Sequence, residues 1–362
     1  MPENPEQTPP PEPAPAVHRR RPRYSGKYPR RFEEKYKEHD PVRHAATVAK
    51  VVASGKTPAG MHRPIMVAEV IDALAPRPGD LAVDCTLGYG GHARELLPLL
   101  QPGGRLIGLD ADPIELPKTV PRLRALGFGP DVLEAHRSNF AGLHGILAAA
   151  GLDGADVILA DLGLSSMQID EPARGFSVKH EGPLDMRMNP QRGQPASALL
   201  GKIRPAALAA LLVENADEPH AELLAPLLAG SIHSTTTSLA RAIRAALPTL
   251  RKEDSDLSVR RVFQALRIAV NDEFAALETF LRQLPSCLRP GGRAAILTFH
   301  SGEDRRVKKA FQAGLRACLY AEISRDVTRP APAERTANPR SSPAKLRWAR
   351  RAADERRGKH SV

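Results

Sequence analysis

The segment Asp84-Cys85-Thr86-Leu87-Gly88-Tyr89-Gly90-Gly91-His92 sets closely spaced glycines between a carboxylate and an imidazole. The spacing Gly88-x-Gly90-x-x-Ala93, with Asp110 20 residues beyond Gly90, satisfies an adenosine-binding fingerprint. In it the glycines admit a ligand close to the backbone, and an acidic residue at the end of the next strand accepts both ribose hydroxyls. The pattern predicts an adenosine cofactor without saying which; the bland alternative is a tight turn joining strand to helix. Asp84 divides the candidates. It stands at the mouth of the loop, where a dinucleotide would put its pyrophosphate, and a carboxylate there repels phosphate. S-adenosylmethionine carries an ammonium and a sulfonium, which the same carboxylate attracts. A nicotinamide-dependent dehydrogenase is therefore the weaker reading. His92, in the first turn of the following helix, either donates to the methionine carboxylate, which a helix N-terminus also favours, or is a surface histidine.

A second group begins at Asp161-Leu162-Gly163-Leu164-Ser165-Ser166-Met167-Gln168. An exocyclic base amine is a poor nucleophile because its lone pair is delocalised into the ring, so an enzyme that methylates one needs an acceptor to orient it. Asp161 could accept an N–H bond, align the lone pair for in-line displacement and ease loss of the proton. The alternative is that it caps a turn with Gly163.

Both groups must be held at one edge of a sheet to act together. Short apolar runs bounded by turn residues and separated by helix-like stretches predict parallel strands at Leu81 to Cys85, Arg105 to Leu109, Val132 to Ala135, Asp156 to Ala160 and Arg293 to Phe299. Asp110 and Asp161 then close the second and fourth strands. About 130 residues separate the fourth and fifth, far beyond an ordinary connection, so residues 172–258, Ala/Leu-rich and without convincing strands, read as a helical insertion. Val259 to Leu284 has the spacing of one long amphipathic helix, and Lys345 to Ala349 could form a last short strand. The fold class expected is α/β, a class I, Rossmann-like sheet (59–171 and 259–350) interrupted by a substrate-recognition insertion.

Residues 1–50 carry eleven Lys and Arg against seven Asp and Glu, residues 325–362 eleven against four, and the body between them thirty against thirty. Basic ends on a neutral body suit a polyanionic partner, nucleic acid being the commonest, or are simply solvated tails. Residues 1–58, rich in Pro and charge, read as a disordered extension, and residues 351–362 as a basic tail. Cys85, Cys287 and Cys318 have no C-x-x-C spacing, which supports neither a disulfide framework nor a zinc site, and no metal is expected. Neither a membrane-spanning run nor an apolar signal segment is found, so a cytoplasmic protein is expected.

From His62 onward the sequence resembles the bacterial methyltransferases that modify N4 of a cytidine in the decoding region of 16S ribosomal RNA. The matching strings are Asp84 to His92, Asp161 to Ser166, Arg174-Gly175-Phe176-Ser177, Gly182 to Met188, Arg192-Gly193-Gln194, Phe263 to Ile268 and Asn338 to Ser342. The resemblance implies S-adenosylmethionine as cofactor and 16S RNA, within the small ribosomal subunit, as partner. It further implies that Gly90, Gly91 and His92 contact the cofactor, with Asp110 on the ribose, Phe140 beside the adenine, and Asp161 and Gln168 completing the pocket. Phe299-His300-Ser301, also a family string, makes His300 a second catalytic candidate, against the reading of a satisfied strand-end histidine. On the substrate side Phe176, with Arg174 beside it, is either the candidate wall for an unstacked base or ordinary packing between insertion and sheet. Arg187 and Arg192 either hold phosphates or pair with Glu181 and Asp185. A non-catalytic RNA-binding assembly factor is the other reading. The chain departs from the family at Met167, usually Pro, at Gly302, usually Leu, and over Glu214 to His220.

Overall fold

A computed structural model describes residues 64–353. The expected extension over residues 1–58 lies outside them, as does the expected basic tail beyond 353.

The first half alternates strands and helices in chain order. It runs α1 (Val67–Leu74), β1 (Leu81–Asp84), α2 (Gly91–Leu96), β2 (Arg105–Asp110), α3 (Leu116–Arg124), β3 (Leu133–Arg137), α4 (Leu143–Ala149), β4 (Ala155–Asp161) and the short α5 (Ser166–Asp170). Five helices follow: α6 (Ala196–Lys202), α7 (Pro205–Ala216), α8 (Ala221–Leu228), α9 (Thr236–Ala246) and α10 (Lys252–Asn271). Helix α11 (Glu273–Cys287) then leads into β5 (Leu288–Thr298), α12 (Ser301–Arg316), β6 (Tyr320–Ile323), α13 (Pro332–Ala337) and β7 (Lys345–Arg351).

The seven strands lie in the order β3-β2-β1-β4-β5-β7-β6. Pairings among β1 to β5 are parallel, and β7 runs against both its neighbours. The strands β1, β4 and β5 are buried on both faces, and their side chains alternate between two cores as a period of two requires. Leu81, Val83, Ile158, Ala160, Ala294 and Ile296 meet Leu147 of α4, Phe280 and Leu284 of α11 and Phe311 of α12. Ala82, Val157, Leu159, Ala295 and Leu297 face Val70 and Leu74 of α1 and Leu96 of α2. This is the expected class I methyltransferase sheet. Its topological switch lies between β1, which leads on to β2, and β4, which was added on the other side. In open α/β sheets ligands bind outside the carboxyl ends of the strands at such a point.

Helices α6 to α9 and the middle of α10 close a third core around Leu208, Leu212, Leu224, Ile243, Val262 and Leu266. Two expectations change. The boundary drawn at residue 258 falls inside α10, whose Val259, Val262 and Leu266 belong to the helical core. The single helix expected from Val259 to Leu284 is two helices, because Asp272 takes a left-handed φ of 51° and caps α10 with its N–H on Ala269 and Ile268 carbonyls. Short strand β6 and helices α12 and α13 are additions to the expected set.

The ring of Phe280, 1% exposed, supports Phe140 at a centroid distance of 5.5 Å. Replacing it, Phe280→Ala, removes a fully buried ring whose site cannot collapse between sheet and helix. A loss of about 3–5 kcal/mol in denaturant unfolding is expected; a loss below about 1 kcal/mol would mean that this core is not close-packed.

Candidate active site

The carboxyl ends of β1, β2 and β4 open into a cleft of about 870 Å³. Its floor is built by the first glycine group. Gly88 and Gly90 have φ of 50° and 77°, a region that side-chain-bearing residues enter only at a cost. A Cβ on Gly90 would also touch Leu123 of α3 at 3.0 Å, and one on Gly91 would meet Pro64 at 3.2 Å. The glycines thus draw the backbone tightly between α3 and Pro64 while Gly88 and Gly91 line the cleft. Gly90 turns its α-carbon away, towards Leu123.

Asp84 is 1% exposed and uses one oxygen to accept the Thr86 N–H at 3.0 Å. Thr86 in turn takes the Asp161 N–H on its hydroxyl at 2.7 Å, which ties the end of β1 to the end of β4. Asp110, at the end of β2, accepts the N–H of Gly88 at 2.6 Å on Oδ2 and that of Asp112 at 2.7 Å on Oδ1. Each of its oxygens keeps a lone pair for a hydroxyl. Phe140 follows β3 in a short 3-10 turn whose cap is the Asn139 side chain, and it too lines the cleft.

Between Asp84 and Asp161 lies His92, 7% exposed, its Nε2 3.5 Å from Asp161 Oδ2. The other Asp161 oxygen, Oδ1, is buried and has no hydrogen-bond partner. A buried carboxylate oxygen without a donor is costly unless a ligand supplies one. Burial pushes Asp84 up to about 6, helped by the nearby Asp161 and Asp110 and opposed by His92 and the Thr86 N–H. Burial likewise raises Asp110 to about 6 against the two N–H donors it holds. For His92 burial is the largest influence and favours the neutral ring, yet the contact with Asp161 and the charges of Asp161 and Asp84 outweigh it and hold the pKa above its ordinary value. The floor is therefore carboxylate-rich and short of positive charge, which fits a cationic, adenosine-bearing ligand and not a pyrophosphate. Among the described residues no cluster of His, Cys, Asp or Glu could hold a metal ion.

Gln168 lines the cleft through a capping box: its Oε1 accepts the Ser165 N–H and its Nε2 donates to Asp112 at 2.8 Å. The other expected residues lie elsewhere. His300 is outside the lining; it is the N-cap of α12, with Nδ1 accepting the Glu303 N–H and Nε2 3.1 Å from Glu303 Oε1. Its neighbour Glu303 reaches the cleft instead. Phe176 packs on the helical core with the Arg174 guanidinium 5.6 Å from its ring, not as a wall of the cleft. Arg174 is paired with Asp112. Arg187 makes a two-bond pair with Asp185 at 2.8 and 2.7 Å. Of the basic candidates in that stretch, Arg192 lines the cleft, exposed, at its insertion side.

Sequence reading missed several lining residues. Arg267 and Glu273 form a two-bond ion pair, 2.8 and 2.8 Å, across the break at Asp272, with Asn271 and Phe274 beside them in the lining. Arg137, exposed at the end of β3, and Arg340, bonded to Asp170 and the Ser166 carbonyl, complete the rim. Arg267 and Arg340 both stand inside strings that carried the family resemblance, the one available signal. The unusual Gly302 also has a reason: a Cβ there would lie 2.7 Å from the Phe274 ring and 3.2 Å from His300, so the leucine usual in the family would require both rings to move.

The MraW methylase family model matches residues 59–352. The chain is 48% identical over 345 residues to "Ribosomal RNA small subunit methyltransferase H 1" of Lachnoclostridium phytofermentans, covering 93% of this chain and 94% of that protein. It is 49% identical over 344 residues to the protein of the same name from Agathobacter rectalis, covering 92% and 98%. A "Ribosomal RNA small subunit methyltransferase H 2" of Alkaliphilus metalliredigens is 48% identical over 92% of this chain and 97% of its own length.

The raised carboxylates set a pH dependence. Between the ordinary aspartate pKa and about 6 the ligand-free folded state holds more protons at Asp84 and Asp110 than the unfolded chain does. Their contribution to stability therefore falls as pH rises through that window. A cationic ligand restores the charged forms, so the gain in Tm on saturation with S-adenosylmethionine should increase from pH 5 to pH 7.5. Asp84→Asn should flatten that increase; a gain independent of pH in the unmodified protein would contradict the assignment.

Proposed function

Because this chain belongs to the MraW methylase family, we propose that it transfers a methyl group to the exocyclic N4 amine of a cytidine in the decoding region of 16S ribosomal RNA. It is a methyltransferase whose methyl donor is S-adenosylmethionine, which when bound supplies a methyl group activated on a sulfonium. Asp110 takes the ribose hydroxyls, Phe140 flanks the adenine, and the backbone from Gly88 to His92, with Asp84 beneath it, holds the methionine end.

The observation that carries the reading is the unpartnered Oδ1 of Asp161, buried at the carboxyl end of β4. An N4–H of cytosine is a donor of the right kind for it. Accepting that bond turns the amine's lone pair out of conjugation and towards the methyl group. His92 Nε2 lies 3.5 Å from the second oxygen, close enough to attract the carboxylate when the ring is protonated. After transfer the amine carries one proton too many, and Asp161 is the acceptor in contact with it. Uracil, with a carbonyl in place of the amine, would face that oxygen with an acceptor and be repelled.

The cleft has room for more than the cofactor: about 870 Å³ lies towards the upper end of small-molecule sites, roughly 300–1,000 Å³. Arg137 and Arg192 stand on its rim, exposed and without a side-chain partner among the described residues. They suit phosphates on either side of an unstacked nucleotide, the role expected earlier of Arg187 and Arg192, of which Arg187 is paired with Asp185 instead. The small ribosomal subunit is the proposed carrier of that nucleotide. No helix among the described residues is long and apolar enough to cross a membrane, and we place the reaction in the cytoplasm with the ribosome.

Two variants test this. Asp161→Ala should lower kcat for labelled-methyl transfer to undermethylated small subunits by roughly 10²–10⁴, with N4-methylcytidine the product of the unmodified enzyme on nucleoside analysis. Retained transfer in the variant, or another methylated nucleoside from the unmodified enzyme, would sink the assignment. Arg192→Ala should raise KM for the subunit with little change in kcat, and reduce the slope of log affinity against log salt by about 1; an unchanged slope would remove Arg192 from the phosphate contacts.

A further inference from the structure

Arg174 and Asp112 lie deeper than a phosphate-binding pair should, with side chains 11% and 1% exposed. A buried ion pair is a poor stabiliser, since removing both charges from water offsets most of their attraction. Where its hydrogen bonds go is more informative. Asp112 donates its N–H to Oδ1 of Asp110, the ribose carboxylate, at 2.7 Å. Its own Oδ2 accepts Nε2 of Gln168 and Nη1 of Arg174, each at 2.8 Å. The other end of the Arg174 guanidinium, Nη2, donates to the carbonyls of Met188 at 2.8 Å and Arg187 at 3.3 Å. One continuous strut thus runs from the cofactor's ribose site, past the loop that carries Asp161, to the segment Met186–Gly193.

That segment is pinned from its far side as well. Asn271, at the end of α10, accepts the Met188 N–H at 2.7 Å and donates to the Met186 carbonyl at 2.8 Å. The Met186 N–H bonds the backbone carbonyl of Arg174 at 3.1 Å. Between these anchors Met186, wholly buried, has a φ of 64°, a strained conformation for a residue with a side chain that persists only where its surroundings over-determine it. Beyond it Met188, Asn189, Arg192 and Gly193 form the insertion-side wall of the cleft. The arm is therefore held at a set height above the cofactor, by bonds whose other ends reach the cofactor's own carboxylate.

We propose that Asp112 and Arg174 are positioning residues that join the ribose carboxylate Asp110 to the arm Met186–Gly193, so that cofactor and RNA bind cooperatively. The inference rests on the RNA reading above. Because the strut is continuous, a shift of the ribose carboxylate on binding the cofactor is carried to the arm that meets the RNA, and a shift of the arm on binding RNA is carried back to the ribose carboxylate. Linkage requires the same factor in both directions.

The test uses the full chain, small ribosomal subunits lacking the methyl group, and S-adenosylhomocysteine as a non-reacting cofactor. The Kd for subunits is measured with and without saturating S-adenosylhomocysteine, and the Kd for S-adenosylhomocysteine with and without subunits. In the unmodified protein both should tighten by the same factor, on the order of ten. Arg174→Gln should bring that factor within about two of unity while changing the affinity for S-adenosylhomocysteine alone less than threefold. Arg174→Lys, which cannot span Asp112 and two carbonyls at once, should restore only part of it. Asp112→Asn, which keeps an acceptor for Gln168 and weakens the bond to Arg174, should also reduce the factor. A factor of one in the unmodified protein, or a full factor in Arg174→Gln, overturns the proposal; the first of these needs no variant and is independent of how the variants fold. Failure of the subunits to bind or accept methyl under any condition would overturn the RNA reading and this proposal with it. Methyl transfer with a factor of one would overturn only the coupling.

Discussion

Asp84, His92 and Asp161 meet at the carboxyl ends of β1 and β4, where little water can screen them. Two carboxylates this close repel, and burial raises the cost of their charges. The imidazole between them offsets part of that cost, and the Thr86 bridge holds the strand ends in place. What remains is a floor with an excess of negative charge and one carboxylate oxygen, Asp161 Oδ1, without a donor. A fold maintains such an arrangement only if the surrounding elements leave it no way to relax. Here the doubly packed sheet below, the glycine turn against Leu123 and Pro64 on one side, and the capping box at Ser165 on the other do so.

The rest of the molecule can be understood as support for that floor. The sheet delivers Asp84, Asp110 and Asp161 to one edge because successive parallel strands end together. The helical insertion brings Arg192 to the opposite wall and is fastened at several points: Arg174 to Asp112, Asn271 to the backbone at Met186 and Met188, and Asp217 to Ser301 and Arg305 of α12. The last contact comes from the stretch in which this chain departs from its family, with Glu218 beside it buried against the Ser258 hydroxyl. Gly302, another departure, makes room for the Phe274 ring, on which the Arg306 guanidinium stacks at 3.5 Å. In this chain the stretch Glu214 to His220 ties the insertion to α12, with Glu214 3.6 Å from Arg306 as well.

The parallel strands were legible in the sequence because burial on both faces demands unbroken apolar runs, which Gly and Pro delimit cleanly. So were Asp84, Asp110 and Asp161, each at the end of such a run. The break at Asp272 was not, because apolar spacing continues on both sides of it, from Val262 and Leu266 to Leu277, and a single left-handed aspartate leaves no periodic trace. Strand β6 was missed for a related reason: as an edge strand, with Ala321 and Glu322 exposed, it lacks the apolar run. On the substrate side, sequence located the basic residues and offered Asp185 as a partner for Arg187, but did not find Asp112 as the partner of Arg174. Arg187 pairs with Asp185, two residues away, within reach of local reading, whereas Arg174 pairs with Asp112, 62 residues away, a tertiary contact that leaves no local trace. The Arg267–Glu273 pair and the Asp112 strut are hidden from a single sequence in the same way.

The most direct measurement is nucleoside-resolved mass spectrometry of 16S ribosomal RNA from cells lacking this protein, complemented with the unmodified chain or with Asp161→Ala. One decoding-region cytidine should lack its N4-methyl group in the deletion, regain it with the unmodified chain and remain unmodified with the variant. An unchanged methylation pattern in the deletion, or restoration by the variant, would contradict the assignment of the Asp161 carboxylate to a cytidine amine.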